Sequence, residues 1–147
     1  MKSLMIDEIL RKAIDLEQTG IEFYASSARN WDVESPMHDY LELFREDELH
    51  ARTRLSGLRD FYSAGKKIAM SETLYERWVR PVPAELMGIR TGHGANRAEV
   101  IHLSEAFEQE TIDRCEVLQE MLGTDLSDLV LLKQTHFDKM KAMETMV

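Results

Sequence analysis

Two stretches of this chain repeat one pattern of residues. Glu17 opens the octet 17–24 (EQTGIEFY), and Glu108 opens a related octet at 108–115 (EQETIDRC). Roughly 30 residues after each glutamate, a histidine follows in a second helical pattern, at His50 and at His136. A glutamate on one helix and an acid-x-x-histidine motif on the next, given twice, is typical of a four-helix bundle that assembles a two-metal carboxylate site. The repeat therefore constrains the fold more than any other feature of the sequence.

The two copies differ at one position. Asp47 stands three residues before His50, which places an acid and an imidazole side by side on one helical face. Lys133 stands three residues before His136, and a protonated lysine cannot ligate a metal. The second copy of the motif is therefore altered.

Hydrophobic periodicity predicts four amphipathic helices. The length of 147 residues predicts one domain that spans residues 1–147. Three cap signals support their starts: Ser3, the pair Ser35-Pro36, and Asn96 with Glu99 three residues later. The predicted helices cover about residues 3–28, 35–65, 96–123, and a last segment from 124 or 127 almost to 147.

The connections between these helices predict the topology. The first and second helices, and the third and fourth, are joined by short links, which make them antiparallel neighbours. Between the second and third helices lie the roughly 30 residues of 65–95, with a short helix at 71–79 and a loop at 91–94. We therefore expect an all-α fold, an antiparallel four-helix bundle with one long crossover between helices 2 and 3.

Charged or polar side chains interrupt the inward stripe near the middle of all four helices. In an antiparallel bundle such positions meet at one level, and charged groups there need pairing or a metal. Hard carboxylate oxygens with two imidazoles suit iron, manganese or zinc. The acids Glu42, Glu46 and Glu48 are expected on a solvated face. The six inward groups are Glu17, Asp47, His50, Glu108, Lys133 and His136.

Charge and composition argue against several other classes of protein. The net charge of -9 disfavours nucleic-acid binding, which needs clustered Lys and Arg. Cys115 is the single cysteine, so an intrachain disulfide and a Cys-x-x-Cys site are excluded. The early residues turn acidic without an apolar run, and no run of 18 apolar residues follows. We expect no secretory signal, no membrane span and a cytoplasmic location.

The repeated glutamates and histidines resemble the ferritin-like di-iron carboxylate superfamily, and most closely its rubrerythrin-like branch. The resemblance implies that Glu17, Glu108, His50 and His136 are terminal metal ligands. It gives Asp47 the first bridging position and Lys133 the second. It also implies that Tyr24, seven residues after Glu17, is a hydrogen-bond donor beside the ligands or a radical quencher.

The resemblance further implies a function. Rubrerythrin-like proteins carry out iron-linked redox chemistry, either reduction of peroxide or oxygen or oxidation of iron. The implied cofactor is one or two iron ions, with manganese or zinc as alternatives. The implied partners are small oxidants, an external electron donor and a second copy of the chain in a homodimer. Whether this chain is an oxidoreductase of the peroxidase or ferroxidase type depends on Lys133.

Lys133 leaves three readings open. In the first, its charge replaces one metal, and a single ion lies at Glu17, Asp47 and His50, within reach of Glu108. In the second, the protein is a non-catalytic binding or structural bundle in which Lys133 pairs with Asp47, Glu17 or Glu108. In the third, it is a metal-free helical dimer module.

Overall fold

A computed structural model describes residues 1–62, 65–86, 89 and 96–146. The described part is mainly helical, which agrees with the predicted all-α class, and none of its helices is long and apolar enough to cross a membrane. Its elements in chain order are β1 (Lys2–Met5), α1 (Ile6–Ala28), α2 (Pro36–Phe61), β2 (Lys67–Met70), α3 (Glu72–Val79), a 3₁₀ turn (Ala84–Leu86), α4 (Arg97–Leu122) and α5 (Ser127–Glu144).

Two of the predicted caps are confirmed by hydrogen bonds. The backbone N–H of Met37 donates to Ser35 Oγ at 3.1 Å, and that of Glu99 donates to Asn96 Oδ1 at 2.9 Å. Ser71 Oγ accepts from the backbone N–H of Leu74 at 3.2 Å and begins the short helix predicted within the crossover. Local sequence signals therefore determine where these helices begin.

The N-terminal prediction was wrong. Residues 2–5 form strand β1 instead of the first turn of a helix, and Ser3 caps nothing. The strand pairs antiparallel with β2, with Lys2 opposite Met70 and Met5 opposite Lys67. The partner strand lies between α2 and α3, so this pairing depends on a long-range contact that local sequence signals do not reveal.

The four long helices pack in two hairpins, α1 against α2 and α4 against α5. Contacts of α1 with α4 and of α2 with α5 join the hairpins. Gly20 allows the closest approach of α1 to α4, because a Cβ atom there would collide with the ring of Phe107. The buried apolar side chains form two clusters, one around Leu10, Leu55 and Leu118 and the other around Phe23, Phe44 and Phe107.

The end of α3 is anchored by a buried arginine on α4 and a lysine on α1. Arg114 on α4 donates from Nη2 to the carbonyl oxygen of Arg80 at 2.7 Å and also bonds the carbonyl of Trp78. Lys12 on α1 donates to the same Trp78 carbonyl at 2.7 Å. The end of α3 is thereby held against the two helices. The loop predicted at 91–94 lies outside the described residues.

Candidate metal centre

Five buried charged side chains meet between the two apolar clusters. Each of α1, α2 and α4 contributes one carboxylate, and α5 contributes the two nitrogen groups. Such groups are found inside proteins only when they are paired or bound to a metal. The exposed fractions are 2% for Glu17, 0% for Glu48, 0% for Glu108, 0% for Lys133 and 1% for His136.

The ammonium group of Lys133 lies between two carboxylates. Its Nζ atom donates to Glu17 Oε2 at 2.8 Å and to Glu48 Oε2 at 2.9 Å. The same Nζ lies 5.7 Å from the centre of the Phe107 ring, within the range of a cation–π contact. The ammonium thus ties α5 to α1 and α2.

The imidazole of His136 contacts carboxylates through both ring nitrogens. Nδ1 lies 3.0 Å from Glu108 Oε1 and 3.4 Å from Glu48 Oε1. Nε2 lies 2.8 Å from Oδ2 of Asp47, whose side chain is 28% exposed. Asp47 therefore connects the buried centre to the surface of the molecule.

Tyr24 completes the centre on the side of α1. Its hydroxyl donates to Glu108 Oε1 at 2.8 Å and lies 2.8 Å from the hydroxyl oxygen of Ser104. Burial and the neighbouring charge of Glu108 raise the pKa of Tyr24 well above its ordinary value, so the phenol keeps its proton. Tyr24 therefore places a protonated hydroxyl beside the carboxylate of Glu108.

Opposing electrostatic effects set the protonation of the centre. Burial lowers the pKa of Lys133, but the charges of Glu17 and Glu48 outweigh it, and the pKa lies well above the usual value. Burial likewise opposes protonation of His136, but the neighbouring carboxylates of Glu108 and Glu48 raise its pKa to about 10. Burial and the charge of Glu48 raise the pKa of Glu17 well above normal. A proton on Glu17 would therefore neutralise the last negative charge among the five groups.

Three of these side chains meet the geometric requirement for holding a single metal ion. Glu48, Glu108 and His136 each offer one ligand atom, and the three atoms lie within 4.8 Å of one another. Two further observations fit an ion there, because Glu48 Oε1 and Glu108 Oε2 are buried and have no hydrogen-bond partner. Buried carboxylate oxygens without a partner are rare in folded proteins. The residues present therefore fit a divalent metal.

The predicted site residues divide into two groups. Glu17, Glu108, His136 and Lys133 lie in the buried centre, and Asp47 lies at its edge in contact with His136. His50 is exposed and is not brought to the other residues. Asp47 and His50 therefore do not form the acid-histidine pair of one ion site.

The predicted inward stripe of the second helix was wrong by one position. The buried face of α2 runs through Met37, Leu41, Phe44, Glu48, Ala51 and Leu55. Leu43 on the adjacent face is 42% exposed. Glu48, which was expected on a solvated face, is fully buried, so it and not Asp47 is the inward acid of α2. The helical spacing of Glu48 from the apolar residues Leu41, Phe44 and Leu55 is the sequence signal for its inward position.

Two other side chains, Glu105 and Cys115, are not part of this centre. Glu105, one turn before Glu108, lies 3.8 Å from Lys141 near the surface. Cys115 is buried, and burial raises the pKa of its thiol to about 12, so it is an unreactive thiol.

Comparison of the chain with protein-family models, with curated proteins and with solved structures finds no match. A functional interpretation therefore depends on the geometry of the centre.

Proposed function

We propose that this chain is a ferritin-like metal-binding protein whose centre holds one divalent ion between Glu48, Glu108 and His136. In this proposal α1, α2, α4 and α5 form the four-helix bundle, and the segment between α2 and α4 is its long crossover. The ion is iron by resemblance to rubrerythrin-like proteins, and manganese or zinc would suit the same ligands.

The observation that carries this proposal is the convergence of two buried carboxylates on an imidazole, where each carboxylate has one oxygen without a hydrogen-bond partner. Glu48 Oε1 and Glu108 Oε2 have no hydrogen-bond partner, and the ligand atoms of these glutamates and of His136 lie within 4.8 Å of one another. A divalent ion would neutralise both oxygens at once, whereas leaving them unpaired is unfavourable in a buried site.

The charges of the centre favour one ion over two. Lys133 balances Glu17, since the two groups are 2.8 Å apart and both are buried. Glu48 and Glu108 then remain, and their two negative charges match one divalent ion when His136 is neutral. A second divalent ion would face the fixed ammonium of Lys133.

Asp47 is not one of the proposed ligands, but it orients one of them, His136. Histidines that bind metals usually donate their other ring N–H to a carboxylate, which fixes the tautomer and the ring orientation. Nε2 of His136 lies 2.8 Å from Asp47 Oδ2, so Nδ1 is left to face Glu48 and Glu108. Tyr24 holds Glu108 in place through its 2.8 Å hydrogen bond.

We propose redox chemistry with oxygen or peroxide as the activity of the iron form. A bound iron ion would supply the one-electron chemistry. The chain would exclude bulk water, since Glu48, Glu108 and Tyr24 are fully buried. Tyr24 would supply a hydrogen bond beside the ligands, and small oxidants are the substrates that such an enclosed centre admits.

The test is metal binding by matched histidine variants. Wild-type protein, His136→Ala and His50→Ala are stripped of metal and titrated with Fe²⁺ without oxygen, and with Mn²⁺ and Zn²⁺. We expect one tightly bound ion per chain in wild type and in His50→Ala, and loss of that ion in His136→Ala. Equal loss in both histidine variants, or two ions in wild type, would contradict the proposed ligand set.

Admission of air to the iron-loaded protein tests the redox part separately. An oxidised-iron absorption band in the near ultraviolet, with consumption of peroxide, is expected in wild type and in His50→Ala. A protein that binds one ion and remains spectroscopically unchanged in air and peroxide would be a metal-binding protein without this activity.

A second candidate function is a non-catalytic binding or structural protein whose centre is an ion-pair network. The observation that favours it is the double hydrogen bond of Lys133, which already joins three helices without a metal. This reading predicts that wild-type protein retains no ion after purification and that added metals do not raise its melting temperature. A metal-dependent rise that His136→Ala abolishes would exclude it.

A further inference from the structure

The centre has two halves that are related by position along the helices. The first half consists of Glu17, Glu48 and Ala51, and the second of Glu108, Lys133 and His136. Glu17 and Glu108 open the two related octets, and Ala51 and His136 each follow the preceding inward residue by three positions. The first half has two carboxylates and no imidazole, whereas the second half has an imidazole and only one carboxylate.

Lys133 belongs to the second half, but its ammonium bonds to the carboxylates of the first half. It bonds Glu17 at 2.8 Å and Glu48 at 2.9 Å, which are the two carboxylates of the first half. The side chain of Lys133 has no exposed surface. The space between Glu17 and Glu48 thus holds a positive charge that the chain itself supplies.

We propose that Glu17 and Glu48 form a second cation site, which Lys133 occupies as a tethered ligand. Once the tether is removed, the site takes a primary ammonium ion or a divalent metal. The tethered ammonium is therefore the residue that limits the centre to one ion, and this consequence for ion number rests on the proposed function. The binding of a free ammonium ion does not.

The carboxylates carry this proposal because both are buried on adjacent helices. Glu17 is 2% and Glu48 is 0% exposed, and they project from the adjacent helices α1 and α2. Glu48 Oε1 has no hydrogen-bond partner, so the carboxylate keeps a free oxygen even when Oε2 is bonded to Lys133. Two fixed, buried carboxylates without a counter-ion favour any small cation that can enter.

The experiment uses Lys133→Ala, which removes three methylene groups and the ammonium. The probe is n-propylammonium chloride, which matches the removed atoms, and n-propanol is the uncharged control of the same shape. The background carries His136→Ala, so that the proposed metal site is absent. We expect the melting temperature of this double variant to rise with n-propylammonium concentration, as ligand binding to the folded state requires.

Three controls define the result. The protein with Lys133 intact and only His136→Ala should not respond to n-propylammonium beyond its response to sodium chloride. Adding Glu17→Gln to the double variant should weaken the response at least about tenfold in concentration, since one of two charged partners is lost. With Mn²⁺ or Zn²⁺ as the probe, the double variant should bind an ion that the His136→Ala protein does not bind.

The proposal is overturned if the double variant is folded and binds none of the three cations, n-propylammonium, Mn²⁺ and Zn²⁺. An equal response to n-propanol also overturns it, as does a response that Glu17→Gln leaves unchanged. If the variant does not fold alone, refolding in the presence of each probe gives the same answer. Recovery with n-propylammonium but not with n-propanol supports the site, and failure with every probe rejects it. If wild-type protein does not bind metal, the proposed function is contradicted. The result with n-propylammonium does not depend on that finding.

Discussion

Nε2 of His136 lies 2.8 Å from Oδ2 of Asp47, and this contact joins a fully buried imidazole to a carboxylate that is 28% exposed. Asp47 and Glu48 are neighbours in sequence and act on opposite sides of the same imidazole. Glu48 faces Nδ1 and Asp47 faces Nε2. One helix therefore supplies both a candidate metal ligand and the group that orients another ligand.

The first prediction concerns this orientation. Asp47→Ala should lower metal affinity by about 10- to 100-fold, because carboxylates that hold a ligating histidine typically contribute this much. The number of bound ions should stay at one, since no ligand is removed. Competition with a chelator measures the affinity. Glu46→Ala, an exposed acid next to Asp47, is the matched control and should leave the affinity unchanged.

The second prediction concerns the buried ion pairs of Lys133. Lys133→Met should lower the free energy of unfolding by about 3–5 kcal/mol, because it leaves Glu17 and Glu48 buried without their cation. Arg59→Met, which breaks the partly exposed pair with Asp7, should cost much less than Lys133→Met. Urea unfolding of metal-free protein compares the two. The triple change Lys133→Met, Glu17→Gln and Glu48→Gln should recover part of the loss, and similar losses in both single variants would contradict the buried network.

The third prediction concerns protons at His136. The folded, metal-free protein raises the pKa of this imidazole to about 10 from an ordinary value of 6.5. The stability that this protonation contributes is fully present below pH 6.5 and is lost as the pH rises through 10. Urea unfolding of metal-free wild type should therefore show stability that declines across this range, and the decline should be smaller in His136→Gln.

The same proton competes with the metal. An ion that binds Nδ1 must displace it, so metal binding should release a proton and the affinity should rise about tenfold per pH unit below pH 10. A pH indicator in weak buffer measures the release. His50→Ala should release protons like wild type, and a metal affinity independent of pH would show that His136 is not a ligand.

These predictions depend on a residue that the sequence pattern did not assign correctly, and the reason is physical. Hydrophobic periodicity locates a helix face through its apolar residues, but Tyr40, Leu41, Leu43 and Phe44 are apolar on more than one side of α2. Asp47 and Glu48 then differ by one residue, or about 100° around the helix. Contact with Lys133 and His136 decides which acid is inward, and that contact is tertiary.

Other features followed from local chemistry and were predicted correctly. Ser35 and Asn96 cap their helices through side-chain hydrogen bonds that involve neighbouring residues only. Glu17, Glu108 and His136 were predicted inside because each lies on the inward stripe of its helix. Strand β1 was missed, because its pairing with β2 depends on residues more than 60 positions away. Long-range pairing and polar contacts across helices are the parts of the structure that one sequence leaves open.

The fourth prediction concerns Glu105, outside the centre. Burial, together with the neighbouring carboxylate Glu144, raises its pKa to about 7 from 4.5, and Lys141 and His102 only partly oppose this. A raised carboxyl pKa means that the folded protein holds a proton that the unfolded chain releases. Stability should therefore decline as the pH rises from 4.5 to 7. Glu105→Gln should reduce this decline in melting temperature, and Glu116→Gln, an exposed acid on the same helix, should not.

The last prediction restores the residues that the two halves of the centre lack. Lys133→Glu removes the tethered ammonium and supplies a fourth inward carboxylate, which balances a second divalent ion. Ala51→His supplies the imidazole at the position equivalent to His136. Ala51 is fully buried, so a histidine there should be unfavourable while Lys133 fills the centre. The double variant should therefore bind two ions per chain, Lys133→Glu should bind a second ion weakly, and Ala51→His alone should bind no more than one. Metal analysis after gel filtration gives these ratios, and unfolding of the four proteins gives the coupling between the two positions. One ion per chain in the double variant would show that the two halves are not equivalent.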